Sequence, residues 1–189
     1  MKIKSVKFIK SITGDDDILH DGIPEIAFVG RSNVGKSSLI NSLLNVRELA
    51  RTGKKQGKTK EINFYLVNEK YYFVDLPGYG FAQGGLEDRE KIRNIIIEYM
   101  TRKESNIHTV AVLIDSKVGV TDFDRDMFDI LQECGRHMVF VLCKTDKLNQ
   151  KDLALQIKNT GNEFPGISIL PYSSLLNKGA GFVLEKLAQ

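Results

Sequence analysis

Residues 26–44 read Ile26-Ala27-Phe28-Val29-Gly30-Arg31-Ser32-Asn33-Val34-Gly35-Lys36-Ser37-Ser38-Leu39-Ile40-Asn41-Ser42-Leu43-Leu44. An apolar run leads into a complete G-x-x-x-x-G-K-S loop, and a helix-like pattern follows at once. That order predicts strand, glycine loop and helix, the setting in which such a loop cradles phosphate. Backbone N–H groups from Gly30 to Gly35 and the helix N-terminus, through Ser38, can face phosphate oxygens. Lys36 can reach the β- and γ-oxygens, and the Ser37 hydroxyl can ligate Mg²⁺. An ordinary glycine turn with a solvated lysine is the alternative, and the strand-loop-helix context disfavours it.

The rest of the chain narrows the class. Its 189 residues suit one well-buried domain, and 42% hydrophobic with 27% charged residues is a soluble globular composition. Cys134 and Cys143 show no C-x-x-C spacing, which argues against a disulfide framework or zinc site and for a reducing compartment. His20, His108 and His137 have no ligand-like spacing. No apolar run approaches the length of a membrane span, and the first residues lack a signal-peptide core. A cytoplasmic location is expected. A net charge of +3 permits an anionic partner without demanding one.

Residues 2–9, Lys2-Ile3-Lys4-Ser5-Val6-Lys7-Phe8-Ile9, alternate polar with apolar and predict an edge strand. Such lysines can touch nucleic acid, but more commonly they keep an edge soluble. Residues 1–21 are therefore expected to form an N-terminal edge-strand extension packed on a domain of residues 22–189. Strands at 62–67 and 71–75, joined by Asn68-Glu69-Lys70, predict an antiparallel hairpin. The Gly/Pro-rich residues 76–85 open into a helix near 88–102. Beyond them, strands at 110–114, 137–143 and 167–170 alternate with helices near 122–134, 151–159 and 180–187. Such alternation implies parallel crossovers and a three-layer α/β sandwich.

Asp75 ends the apolar Tyr72-Phe73-Val74 and precedes Leu76-Pro77-Gly78. At a strand's C-terminal edge it shares a rim with the phosphate loop, where it can orient a Mg²⁺-bound water. The Gly78 N–H can then meet a γ-phosphate. Further on, Cys143-Lys144-Thr145-Asp146-Lys147 closes a buried strand. A carboxylate there can accept two hydrogen bonds from guanine N1–H and N2–H₂, a donor pair adenine lacks. The Lys144 stem can lie across the base, and Tyr172-Ser173-Ser174 can offer N–H groups to the base oxygen. Taken singly, these segments read as a turn aspartate, surface charge and a loop.

Together, residues 30–37, Thr59, Asp75-Leu76-Pro77-Gly78-Tyr79-Gly80, residues 144–148 and Tyr172-Ser173-Ser174 resemble the ordered motifs of translation-factor-class GTPases. The continuous Asp75-to-Gly80 run, with Ile62-Asn63-Phe64 after Thr59, is similar to the EngB (YihA/YsxC) family of the TrmE-Era-EngA-EngB-septin-like GTPases. The resemblance spans nearly the whole chain. It implies a three-layer P-loop GTPase (Ras-like) fold whose mostly parallel six-stranded sheet has one antiparallel strand at 62–67. It also implies GTP and GDP as ligands, GTP hydrolysis with Mg²⁺, and action in large ribosomal subunit assembly, cell division and septation. The implied partners are guanine nucleotide and the large subunit or its ribosomal RNA, with neither DNA nor membrane. By resemblance Thr59, beside Gly57 and Lys58, is the switch threonine that joins Ser37 and Asp75 around Mg²⁺. Lys36, Thr59, Gly78 and Asn33 form the expected catalytic set.

Several features depart from the pattern or add to it. Cys143 stands where the guanine motif usually has Asn or Thr, which should weaken affinity somewhat and spare selectivity. Residues 55–60 lack the usual proline. Tyr79 follows Gly78, where Ras-like enzymes carry a water-orienting glutamine, so the bare domain should hydrolyse slowly. Asn33 either shapes its loop or, as in related GTPases, helps hold K⁺ beside the phosphates. Arg51, Lys54, Lys55, Lys58 and Lys60 form either a solvated face or an RNA contact. The competing reading is a GTP-gated binding module in which hydrolysis is incidental.

Overall fold

A computed structural model describes residues 1–46, 49, 61–79 and 85–189. The elements run β1 (Val6–Ile12), β2 (Glu25–Gly30), α1 (Lys36–Leu44), β3 (Ile62–Val67), β4 (Tyr71–Asp75) and α2 (Gly85–Thr101). They continue β5 (Ile107–Asp115), α3 (Asp122–Glu133), β6 (Met138–Cys143), α4 (Gln150–Glu163), β7 (Ser168–Pro171) and α5 (Ala180–Leu187).

The strands form a seven-stranded sheet ordered β1-β3-β4-β2-β5-β6-β7. The expected count of six becomes seven because β1 pairs with β3 as a full member of the sheet. Both β1 and β4 lie antiparallel to β3, so β3 alone opposes the other strands. Its hairpin with β4 turns on Asn68 and Glu69, both left-handed at φ 53° and 55°, the twist that two-residue hairpins favour. Asn68 also clips the chain before β1, accepting from Lys4 N at 2.6 Å and donating to the Lys2 carbonyl at 2.8 Å.

Strands β2, β5 and β6 read as near-continuous apolar runs because helices cover both of their faces. On one face Val29, Val74, Val112 and Phe140 pack under Ile96 and Met100 of α2 and Met127 and Leu131 of α3. On the other, Phe28, Phe73, Leu113 and Val141 meet Leu39 and Leu43 of α1 and Val183 and Leu187 of α5. A polar clamp fixes the C-terminal end of α2. Glu25, fully buried at the start of β2, accepts from the Tyr99 hydroxyl and the Arg102 guanidinium, which itself lies 4.1 Å over the Tyr99 ring. Among the described residues, no helix is long and apolar enough to cross a membrane.

Candidate functional site

Parallel pairing brings the C-terminal ends of β2, β4, β5 and β6 to one rim, which carries Gly30, Asp75, Asp115 and Cys143. The loop over residues 31–35 crosses it. Gly35 sits at φ +107°, just before α1, where an L side chain would be strained. Asn33 is also left-handed, at φ +66°, and its side chain is exposed. Val34 turns into the core and, with its N–H on the Arg31 carbonyl at 3.1 Å, anchors the loop. Lys36 opens α1, and its ammonium pairs with the Asp75 carboxylate, each side chain about nine-tenths buried. Ser37 and Ser38 are half-buried in the first turn of the same helix.

After β4 the chain is stitched to this loop. The Ser32 hydroxyl donates to the Gly78 carbonyl at 3.1 Å and the Ser32 N–H to the Tyr79 carbonyl at 2.8 Å. The Tyr79 N–H reaches the Gly30 carbonyl at 3.2 Å. A Cβ on Gly78 would lie 3.1 Å from the Ser32 Cα, so this close approach favours glycine. Leu76 is fully buried, and Pro77 is buried beside it.

Tyr79 turns its ring into the domain, not toward the phosphate loop. It is 5% exposed, and its hydroxyl donates to Asp124 Oδ1 of α3 at 2.6 Å. Burial, then the Asp124 charge and hydrogen bond, push the phenol well above its ordinary pKa. The sequence alone casts Tyr79 as a poor stand-in for glutamine, but the structure commits the side chain elsewhere.

The opposite flank carries residues 143–147 and 172–174. Lys144, left-handed at φ +59°, sends its ammonium back to the Asn33 carbonyl and to Asp115 Oδ2, each at 2.6 Å. Burial works to raise the Asp115 carboxyl, but hydrogen bonds from Lys144 and the Lys117 N–H outweigh it and leave it below its usual value. Asp115 was missed in the sequence, although it ends an apolar strand just as Asp75 does. Burial pushes the Cys143 thiol up to about 12, so it stays a thiol.

Asp146 is exposed, with Oδ1 held by the Ser173 hydroxyl at 2.5 Å. Thr145 N–H donates to the Tyr172 carbonyl at 3.3 Å and joins the two segments, while Lys147 is solvent-facing. One expectation changes: the Ser173 N–H is taken by the Lys178 carbonyl at 3.1 Å. Ser173 therefore orients Asp146 through its hydroxyl and does not offer its amide to a base. Ser174, half-buried, follows it.

Gly57, Lys58, Thr59 and the basic cluster Arg51, Lys54, Lys55 and Lys60 lie outside the described residues, as does Gly80. Among the described residues, no cluster of three or more His, Cys, Asp or Glu forms a metal cage. The Ser37 hydroxyl and the Asp75 carboxylate at the phosphate loop are hard oxygen donors that suit Mg²⁺, which usually binds through one or two carboxylates plus substrate phosphates.

Residues 25–144 match the family described as "50S ribosome-binding GTPase", which sets the fold and its rim within the GTPase class. The "Probable GTP-binding protein EngB" of Thermosipho africanus is 40% identical over 98% of this chain and 96% of its own length. A crystal structure of a probable GTP-binding protein EngB superposes with a TM-score of 0.73 at 24% identity, over 87% of this chain and 96% of that one. Era in complex with MgGDPNP and nucleotides 1506–1542 of 16S ribosomal RNA shares the fold at TM-score 0.64 and 21% identity, over 88% of this chain and 56% of that one. The chain belongs to the EngB family of GTP-binding proteins.

Proposed function

We propose that this protein is a slow, Mg²⁺-dependent GTPase acting in the cytoplasm as a switch in large ribosomal subunit assembly, with a role in cell division and septation. One observation carries the nucleotide half of this reading. Asp146 is oriented by Ser173 while its neighbour Lys144 is tied to the Asn33 carbonyl. A base-reading carboxylate is thus set at a fixed span from the phosphate loop. The ribosomal half rests on EngB membership and on the description of the matched family.

In this reading, guanine N1–H and N2–H₂ donate to Asp146, and the Ser174 N–H meets the base oxygen. The amides of residues 30–35, with Ser37 and Ser38, receive the phosphates. Lys36 exchanges Asp75 for phosphate oxygens. Ser37, Asp75 through water, and Thr59 with GTP bound would hold Mg²⁺, which neutralises charge on the phosphates. Gly57 and Lys58 flank Thr59, and Leu76 and Pro77 shape the turn that presents the Gly78 N–H to the γ-phosphate.

Hydrolysis is expected to be slow because the residue after Gly78 is engaged with Asp124 and orients no water. Intrinsic turnover on the Ras scale, about 10⁻⁴ to 10⁻³ per second, follows. Asn33 beside a bound K⁺ would add charge at the transition state. The lysines and arginine of residues 51–60 would pair with ribosomal RNA phosphates.

The same Tyr79 engagement favours a second reading, a GTP-gated binding module in which hydrolysis is incidental. Single-turnover hydrolysis with and without large ribosomal subunits separates the two: stimulation supports the switch, and its absence supports the binding module. Co-sedimentation with subunits under GTP analogue and GDP, across a salt series, tests the RNA contact. Salt-insensitive binding would exclude it.

A further inference from the structure

We infer that Asp124 and Tyr79 form a latch that positions the Gly78 peptide for the γ-phosphate and so raises the protein's affinity for GTP relative to GDP. The inference rests on the GTP reading above.

Asp124 lies in the first turn of α3 and is 1% exposed. Its two oxygens do separate jobs. Oδ2 accepts from the Thr121 N–H at 2.9 Å and the Thr121 hydroxyl at 2.8 Å, which closes the start of α3. Oδ1 accepts from the Tyr79 hydroxyl at 2.6 Å. A cap needs only the first oxygen. The second ties α3 to a loop far away in sequence, at the residue next to Gly78.

Tyr79 is held from both sides. Its backbone is stitched to Gly30 and Ser32 of the phosphate loop, and its hydroxyl to α3. Its ring packs 6.1 Å from that of Phe123, one residue before Asp124. The peptide between the phosphate loop and this anchor is therefore fixed before any ligand contact is made. A donor fixed in advance costs less ordering when its ligand arrives. Only GTP carries the γ-phosphate that the Gly78 N–H would meet, so the benefit falls on GTP and not on GDP. Tyr79 and Asp124 are thus positioning residues that act through Gly78, without touching nucleotide.

The test uses the full chain with Mg²⁺, a fluorescent GDP and a non-hydrolysable fluorescent GTP analogue. Tyr79→Phe removes one hydroxyl and keeps the ring, while Asp124→Ala removes the acceptor. Thr121→Ala weakens the cap without removing the Tyr79 contact. Hydrogen bonds to a charged group imply that Tyr79→Phe weakens the GTP analogue about tenfold, with GDP held within about twofold. Asp124→Ala should behave alike, the double variant should be no worse than either single, and Thr121→Ala should leave the ratio unchanged. Equal losses for both nucleotides, an unmoved ratio, or tighter binding of the GTP analogue would overturn the latch. Should Tyr79→Phe fail to fold, the ratio in Asp124→Ala decides alone. A wild-type chain that binds neither nucleotide would overturn the GTP reading itself, whereas wild-type binding with an unmoved ratio overturns only the latch.

Discussion

The Lys144 ammonium meets the Asn33 carbonyl at 2.6 Å, so the segment that follows β6 is bolted to the glycine loop that follows β2. Asp115 completes the joint by accepting from the same ammonium. The two segments are thereby held as one span along the rim of the sheet.

Lys144→Met should weaken GDP binding about tenfold or more, since it removes two charge-assisted hydrogen bonds. Asp115→Asn should weaken it by less, about three- to tenfold. If Asp115 acts through Lys144, its substitution will add almost nothing in a Lys144→Met background. A double-mutant cycle on GDP affinity reads this directly, and additive effects would mean that Asp115 works independently.

Asp146→Asn should abolish the preference for GDP over ADP, measured by competition titration. Ser173→Ala should keep the preference and weaken GDP about fivefold, because it removes the hydroxyl that orients the carboxylate but not the carboxylate. A full loss of preference in Ser173→Ala would show that the serine reads the base itself.

Turnover should be faster in KCl than in NaCl at equal ionic strength, and Asn33→Ala should erase the difference. Steady-state phosphate release checks this. Equal rates in the two salts, with Asn33→Ala fully active, would leave Asn33 with a loop-shaping role only.

Glu25 predicts a pH signature in stability. Burial raises its carboxyl above 4.5 even against Arg102 and Tyr99. A raised folded-state value means that this group favours folding most below 4.5 and loses that contribution as pH rises through the folded value. Arg102→Met removes the cation that offsets the buried charge, at a cost of about 3–5 kcal/mol near neutral pH. That deficit should shrink as pH falls toward 4.5, as the carboxyl takes up its proton. Urea unfolding at the two pH values measures it, and a deficit independent of pH would show that Glu25 carries no charge in the variant.

Much of this was legible in the sequence because local rules and burial agree there. The phosphate loop follows from its strand-loop-helix order, and the β3–β4 hairpin from the short Asn68-Glu69-Lys70 connection. Helix ends were less legible: α4 reaches Glu163 and α2 begins at Gly85, and terminal turns are the part of a helix that apolar periodicity marks least. The joining of β1 to the sheet depends on pairing with β3, which follows in sequence only after β2 and α1, and alternation alone does not reveal it. The same holds for Asp115 and Asp124. Each looks like an ordinary acid until the fold brings Lys144 or Tyr79 to it.

The Glu25 clamp has a mechanical consequence. Helix α2 has 17 residues and spans about 25 Å, and its last turn is gripped by a buried carboxylate through Tyr99 and Arg102. Sliding the helix along its axis would tear that grip open and strand a charge in the core. Swinging it would not. Movement reaching α2 must therefore act as on a lever, with its fulcrum at Arg102 and its greatest travel at the Gly85 end.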